Sequence, residues 1–195
     1  MLAQRKTADT HYTPQEYLRL EKQAVTRSEY HQGQIVAMAG ATVTHNRINV
    51  NLTIELGNLL RDKPCDLFAN DIRVQLPRED RYVYPDLVIV CGEPEFDEDD
   101  PDTLINPQVI IEVLSNSTAN YDRGDKFHAY WTLDSFAEYV LVDQYKMRVE
   151  YFRRANEKLW ELRVLTKPDD LLELKSLDVV LPLSSIYRRV HIKTE

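Results

Sequence analysis

The chain is poor in the features that hold small secreted scaffolds, zinc modules and membrane proteins together. It has two cysteines in 195 residues, Cys65 and Cys91, and neither belongs to a CxxC pair. That excludes a disulfide-dense framework and a thiolate zinc site, and it predicts two small core thiols in a reducing cytoplasm. No apolar run approaches the roughly 18 residues needed to span a bilayer. Met1 to His11 is polar, without the apolar centre of a secretion signal. A GxSxG elbow and an HExxH pair are both missing, so neither serine-hydrolase nor zinc-protease chemistry has a foothold. Nor is there an internal repeat or a low-complexity linker.

Basic charge is also short. The net charge is −8, which on its face disfavours a polyanionic partner. The imbalance is local, however. Glu93 to Asp102 holds seven acids and no base, and outside it 24 basic residues face 25 acidic ones. This run lacks the glycine and the closing glutamate of a calcium loop, since Asp102 and Gln108 stand at those places. It reads as a solvated loop. The aromatic residues read as scattered along the chain, with no stacking platform.

One domain with a sizeable core fits this length. Residues 1–12 are expected to be a disordered tail and 13–195 a single domain. Thr13-Pro14-Gln15-Glu16 is a helix start, with Thr as N-cap, Pro at the first helical position and Glu closing a capping box. Ser28 to Met38 predicts two strands around Gln32-Gly33. A long helix follows over about 44–61, with Ile48, Leu52, Leu56 and Leu59 on its buried face. Further strands are expected within 66–76 and over 84–91, 108–114, 138–142, 147–153, 158–165 and 179–181, with a helix over 118–132. This order predicts an α/β (α+β) chain with a mixed central sheet flanked by helices.

Two carboxylates stand out against this pattern. Asp86 sits in Tyr84-Pro85-Asp86-Leu87-Val88-Ile89-Val90, and Glu112 in Val109-Ile110-Ile111-Glu112-Val113-Leu114. An ionised carboxylate inside an apolar strand costs several kcal/mol unless it is paired. Two of them on neighbouring strands suggest a hard divalent cation, bound through oxygen ligands that leave room for a phosphate. The acids resemble those of the PD-(D/E)xK nucleases, whose pattern puts a lysine two residues after the second acid; Leu114 stands there instead. Asp122 and Lys126 follow, one helical turn apart, and could aim an ammonium back at the acids. The competing reading is a structural ion pair of Glu112 with Lys126 or Arg123.

At these residues the chain resembles the Uma-type restriction endonucleases of the PD-(D/E)xK superfamily. The matching stretches are Glu29 to Val36, Thr42 to His45, Tyr84 to Val88, Ile111 to Ser115 and Tyr121 to Lys126. The resemblance implies a restriction-endonuclease-like fold and hydrolysis of phosphodiester bonds in DNA. It implies Mg²⁺, with Mn²⁺ as substitute, held by Asp86, Glu112 and the carbonyl of Val113. Lys126 would be a lysine relocated to the helix, Glu29 an additional acid, and His45 and Asp122 supporting residues. Expected partners are nucleic acid and no membrane, and a homodimer would suit the cutting of two strands. The alternative is a non-catalytic module for protein or nucleic-acid binding that keeps the nuclease fold.

Overall fold

Thr13 caps the first helix as its sequence requires. Its hydroxyl accepts from the Glu16 N–H at 3.2 Å, and the Glu16 carboxylate accepts from the Thr13 N–H at 2.8 Å. The computed structural model describes residues 10–38 and 40–192. Most of the expected tail, residues 1–9, lies outside the described residues. Tyr12, at its end, is tied down by a 2.9 Å bond from its N–H to the Gly33 carbonyl.

Helix α1 (Pro14–Glu21) precedes a hairpin of β1 (Ser28–His31) and β2 (Gln34–Ala37). Gln32 and Gly33 both take positive φ at its turn, the backbone that suits a two-residue hairpin loop. Helix α2 (Val43–Leu60) follows, capped by Thr42. It buries Ile48, Leu52, Leu56 and Leu60; Leu59, expected inside, is exposed instead. Strands β3 (Cys65–Ala69), β4 (Arg73–Leu76), β5 (Arg81–Val83), β6 (Leu87–Cys91), β7 (Thr103–Leu104) and β8 (Val109–Leu114) come next. Short helices α3 (Ala119–Arg123) and α4 (Asp125–Tyr130) lead into β9 (Glu138–Asp143), β10 (Val149–Asn156), β11 (Leu159–Leu165), β12 (Leu171–Leu174), β13 (Val179–Pro182) and α5 (Leu183–Ile186).

The strands form two larger sheets and a small hairpin. One sheet has the order β2-β1-β5-β4-β7, the other β11-β10-β9-β8-β6-β3, and β12 pairs with β13. The single central sheet expected from the element order is therefore joined by a second sheet. In the six-stranded sheet β8 runs antiparallel to β6 and parallel to β9. Alternate residues of β8 face different cores: Val109, Ile111 and Val113 pack with α2, whereas Ile110 and Leu114 pack with Phe127, Tyr130 and Tyr139.

Four further expectations are corrected. The run 84–91 is not one strand, because β5 ends at Val83 and β6 starts at Leu87. Pro85 supplies no N–H for a ladder, so Tyr84-Pro85-Asp86 is the link by which the chain passes from one sheet to the other. The helix expected over 118–132 breaks at Gly124, whose ψ of −101° is not helical. Cys65 and Cys91 are not separate core thiols: they lie opposite each other across β3 and β6 and form a disulfide. The acidic run is not merely solvated either. Asp100 is fully buried on Arg73, Thr103 and Lys22, and Thr103-Leu104 joins β4 as a parallel strand.

The aromatics are also more gathered than the sequence suggests. Phe127 contacts Trp131, Phe136, Tyr139, Phe152 and Trp160. Tyr17, Tyr30 and Tyr82 form a second cluster under α1.

Candidate active site

Asp86 and Glu112 meet because of strand register. Leu87 pairs with Ile111 and Val88 with Ile110, so the next step outward sets Asp86 opposite Glu112. The backbone of each holds the carboxylate of the other strand. The Val113 N–H donates to Asp86 Oδ2 at 2.7 Å, and the Asp86 N–H reaches Glu112 Oε2 at 3.4 Å. Asn70 locks the link from behind, its N–H donating to the Asp86 carbonyl at 2.8 Å. The Asn70 side chain in turn accepts from Asn49 of α2 at 2.7 Å.

Lys126 reaches this pair from α4. Its Nζ lies 2.8 Å from Glu112 Oε1, 3.1 Å from Glu29 Oε1 and 3.9 Å from Asp122 Oδ1. Arg123, the other candidate partner for Glu112, points away and binds Glu150 at 3.1 Å. The break at Gly124 separates two short helical turns, yet Asp122 and Lys126 still share a face across it. Glu29 enters from β1 and also accepts from the Tyr84 N–H at 3.2 Å, which ties the five-stranded sheet to the link. His45, on the first turn of α2, sets Nε2 3.2 Å from Asp86 Oδ2. The structure thus brings together all six side chains singled out in the sequence: Glu29, His45, Asp86, Glu112, Asp122 and Lys126.

Some participants carried no signal in the sequence. Tyr130 donates to Glu112 Oε1 at 3.1 Å, and the Tyr121 ring lies 5.9 Å from the Lys126 ammonium. Gln144 bridges the Leu114 carbonyl to the Thr42 hydroxyl, so the cap of α2 is fastened to the end of β8. Tyrosine and glutamine inside ordinary strand and helix patterns look like core or surface, and only the strand pairing reveals them.

Burial shapes the charges. Glu112 and Lys126 are 5% and 4% exposed. Burial pushes the Glu112 carboxyl up, Asp122 and Asp86 add to that, and Lys126 opposes it. Asp122 is likewise raised by burial. At Lys126 burial alone would favour the neutral amine, but Glu112, Glu29 and Asp122 outweigh it and hold the ammonium protonated. At His45 burial is outweighed by the hydrogen bond and charge of Asp86, with the Val113 backbone adding, so its pKa is raised.

Four carboxylates therefore face one ammonium and one imidazole. This donor set is all oxygen, which suits a hard cation. Of the Asp86 carboxylate, only Oδ2 is engaged among the described residues. The same residues contain no group of three His, Cys, Asp or Glu already converged as a metal cage, and Lys126 stands among three of the acids. By the chemistry of their oxygen donors the residues fit a divalent cation, at Asp86 and Glu112 first.

Comparison with known proteins places the chain in a family. Residues 14–184 match the model of the Uma2 family, described as "Putative restriction endonuclease". Two proteins of Synechocystis sp. (strain PCC 6803), both described as uncharacterized, are similar along nearly their whole length. One, sll1609, is 35% identical over 86% of this chain and 94% of its own, and the other, slr1290, is 32% identical over 90% and 91%. A crystal structure from Anabaena variabilis, described as a "putative nuclease belonging to DUF820", superposes with a TM-score of 0.73. It is 20% identical and covers 90% of this chain and 97% of its own. The fold is restriction-endonuclease-like, as the resemblance implied, and the chain belongs to the Uma2 family.

Proposed function

We propose that this protein is a divalent-metal-dependent endonuclease that hydrolyses phosphodiester bonds in nucleic acid, with DNA as substrate and Mg²⁺, or Mn²⁺ in its place, as cofactor. The observation that carries this reading is the placement of Lys126 within 3.1 Å of both Glu112 and Glu29, beside an Asp86 that keeps one carboxylate oxygen free.

Asp86, Glu112 and the carbonyl of Val113 would hold the cation. When bound, it supplies Lewis acidity toward a scissile phosphate and acidity to a water in its shell. Lys126 offsets the charge that develops on the phosphate, a task suited to a point charge held in a dry site. Glu29 and Asp122 keep the ammonium in place and protonated. Glu29, less buried than Glu112, can take a proton from an attacking water. His45 fixes Asp86 through Oδ2.

A panel of end-labelled duplex DNA, single-stranded DNA and RNA, each in Mg²⁺ and in EDTA, tests the substrate assignment. Internal cleavage of duplex DNA in Mg²⁺ only is expected. Cleavage of RNA alone would overturn the substrate, and equal cleavage in EDTA would overturn the metal.

A further inference from the structure

Strand β11 forms one free edge of the six-stranded sheet. It is seven residues long, Leu-Trp-Glu-Leu-Arg-Val-Leu, with neither lysine nor proline. Natural edges are blunted by such residues because an open row of N–H and C=O groups invites another strand. Lys158 precedes the strand, Lys167-Pro168 follows it, and Glu161 and Arg163 are the charges on it. Between these, Leu159 is 51% exposed, Leu162 54% and Val164 41%. Trp160, Leu162 and Val164 share the face that carries Glu112, and Trp131 stacks on Trp160 beside them at 5.8 Å while 41% exposed itself.

We propose that β11 pairs antiparallel with β11 of a second copy of this chain, about a two-fold axis at Leu162. Antiparallel partners share a face, so three central registers are available, with Glu161, Leu162 or Arg163 on the axis. The first puts Glu161 against Glu161 and the third Arg163 against Arg163, and like charges directly opposite are unfavourable. The register on Leu162 sets Leu162 against its counterpart, Trp160 against Val164, and Glu161 against Arg163 twice over. This pattern is self-complementary, as a two-fold interface requires. Glu161 and Arg163 are about half exposed, and each already pairs within its own chain, with Arg153 at 2.6 Å and Glu173 at 3.3 Å, so the contact across the axis would be shared with these. The pairing would continue the sheet across the dimer and place both Glu112 sites on one face. Counted along the sheet they are seven strand steps apart, roughly 34 Å.

Mass by sedimentation equilibrium across concentration tests this. Wild type should sediment at twice its 22.8 kDa. Glu161→Arg and Arg163→Glu should each raise the dissociation constant about tenfold or more, and the double exchange should restore it. A wild type that stays monomeric at about 100 µM would overturn the proposal, and so would a double exchange as weak as the single variants. Leu162→Cys gives a readout independent of the charge variants: it should cross-link to a covalent dimer under mild oxidant, and failure to do so would count against the axis. Because the readout is mass, this proposal can fail without touching the nuclease reading.

Discussion

At Lys126 the desolvation of an ammonium is offset by three carboxylates within 3.9 Å. Removing that cation leaves acids whose pKa values burial already raises. A carboxyl whose folded pKa lies above its unfolded value contributes stability at low pH and loses it as pH rises. Lys126→Met should therefore be destabilised by about 3 kcal/mol at pH 8 and markedly less at pH 5, read by urea unfolding at both. A deficit that grows toward acid would show the carboxylates to be stabilised as anions by something else. Tyr130→Phe is the gentler probe, expected to cost about 1 kcal/mol through its lost bond to Glu112. At this scale the sequence was informative: Asp86, Glu112 and Lys126 were legible because charge inside apolar or helical patterns is expensive. Tyr130 and Gln144 were not, because their types suit a strand or helix without any function.

Between residues and site stand the elements that aim them. The N-terminus of α2 is fixed by the Thr42 cap and by Gln144, and it carries His45 to Asp86. Thr42→Ala should cost about 1 kcal/mol of stability and also lower cleavage, whereas an equally destabilising change at the far end of α2 should leave cleavage alone at temperatures where both are folded. The segment after β6 has the opposite pH logic from Lys126. Asp100 is fully buried, yet Thr103, Arg73 and Lys22 outweigh that burial and hold its carboxyl below the usual range. A depressed acid contributes stability above its unfolded pKa and loses it as pH falls through the folded one. Asp100→Asn should thus cost about 3 kcal/mol at pH 7, with the gap to wild type closing below about pH 4. Composition gave no hint of this: among seven acids in ten residues, nothing marks the one that turns inward to an arginine 27 positions away in the sequence. Pairing of β4 with β7 decides it. The break at Gly124 escaped for a related reason, because 118–132 has helical spacing on both sides and one non-helical dihedral resets the direction without erasing it.

Over the whole molecule, the alternation of β8 between two cores explains why a charged residue can stand in its middle. One face is filled by α2, and the other holds Glu112 among tyrosines that hydrogen-bond. The element order predicted the mixed sheet, but not its partition in two, since that depends on which short strand finds which partner around Tyr84-Pro85-Asp86. The cysteines teach the same lesson. Far apart in sequence, they become opposite residues only through the β3–β6 register. Their bond closes a span of 26 residues, which corresponds to about 3.5 kcal/mol of stabilisation. Adding a dithiol reductant should lower the thermal midpoint accordingly, and the Cys65→Ser variant should no longer respond.

Plasmid cleavage by wild type beside Asp86→Ala and Lys126→Ala, each verified as folded by circular dichroism, is the most direct test of the central claim. Nicking or linearisation that requires Mg²⁺ or Mn²⁺ and is lost in both variants is the expected result. Activity that survives Asp86→Ala, or a folded wild type that cleaves no nucleic acid in either metal, would contradict it and leave the carboxylate–lysine cluster as a structural ion-pair network.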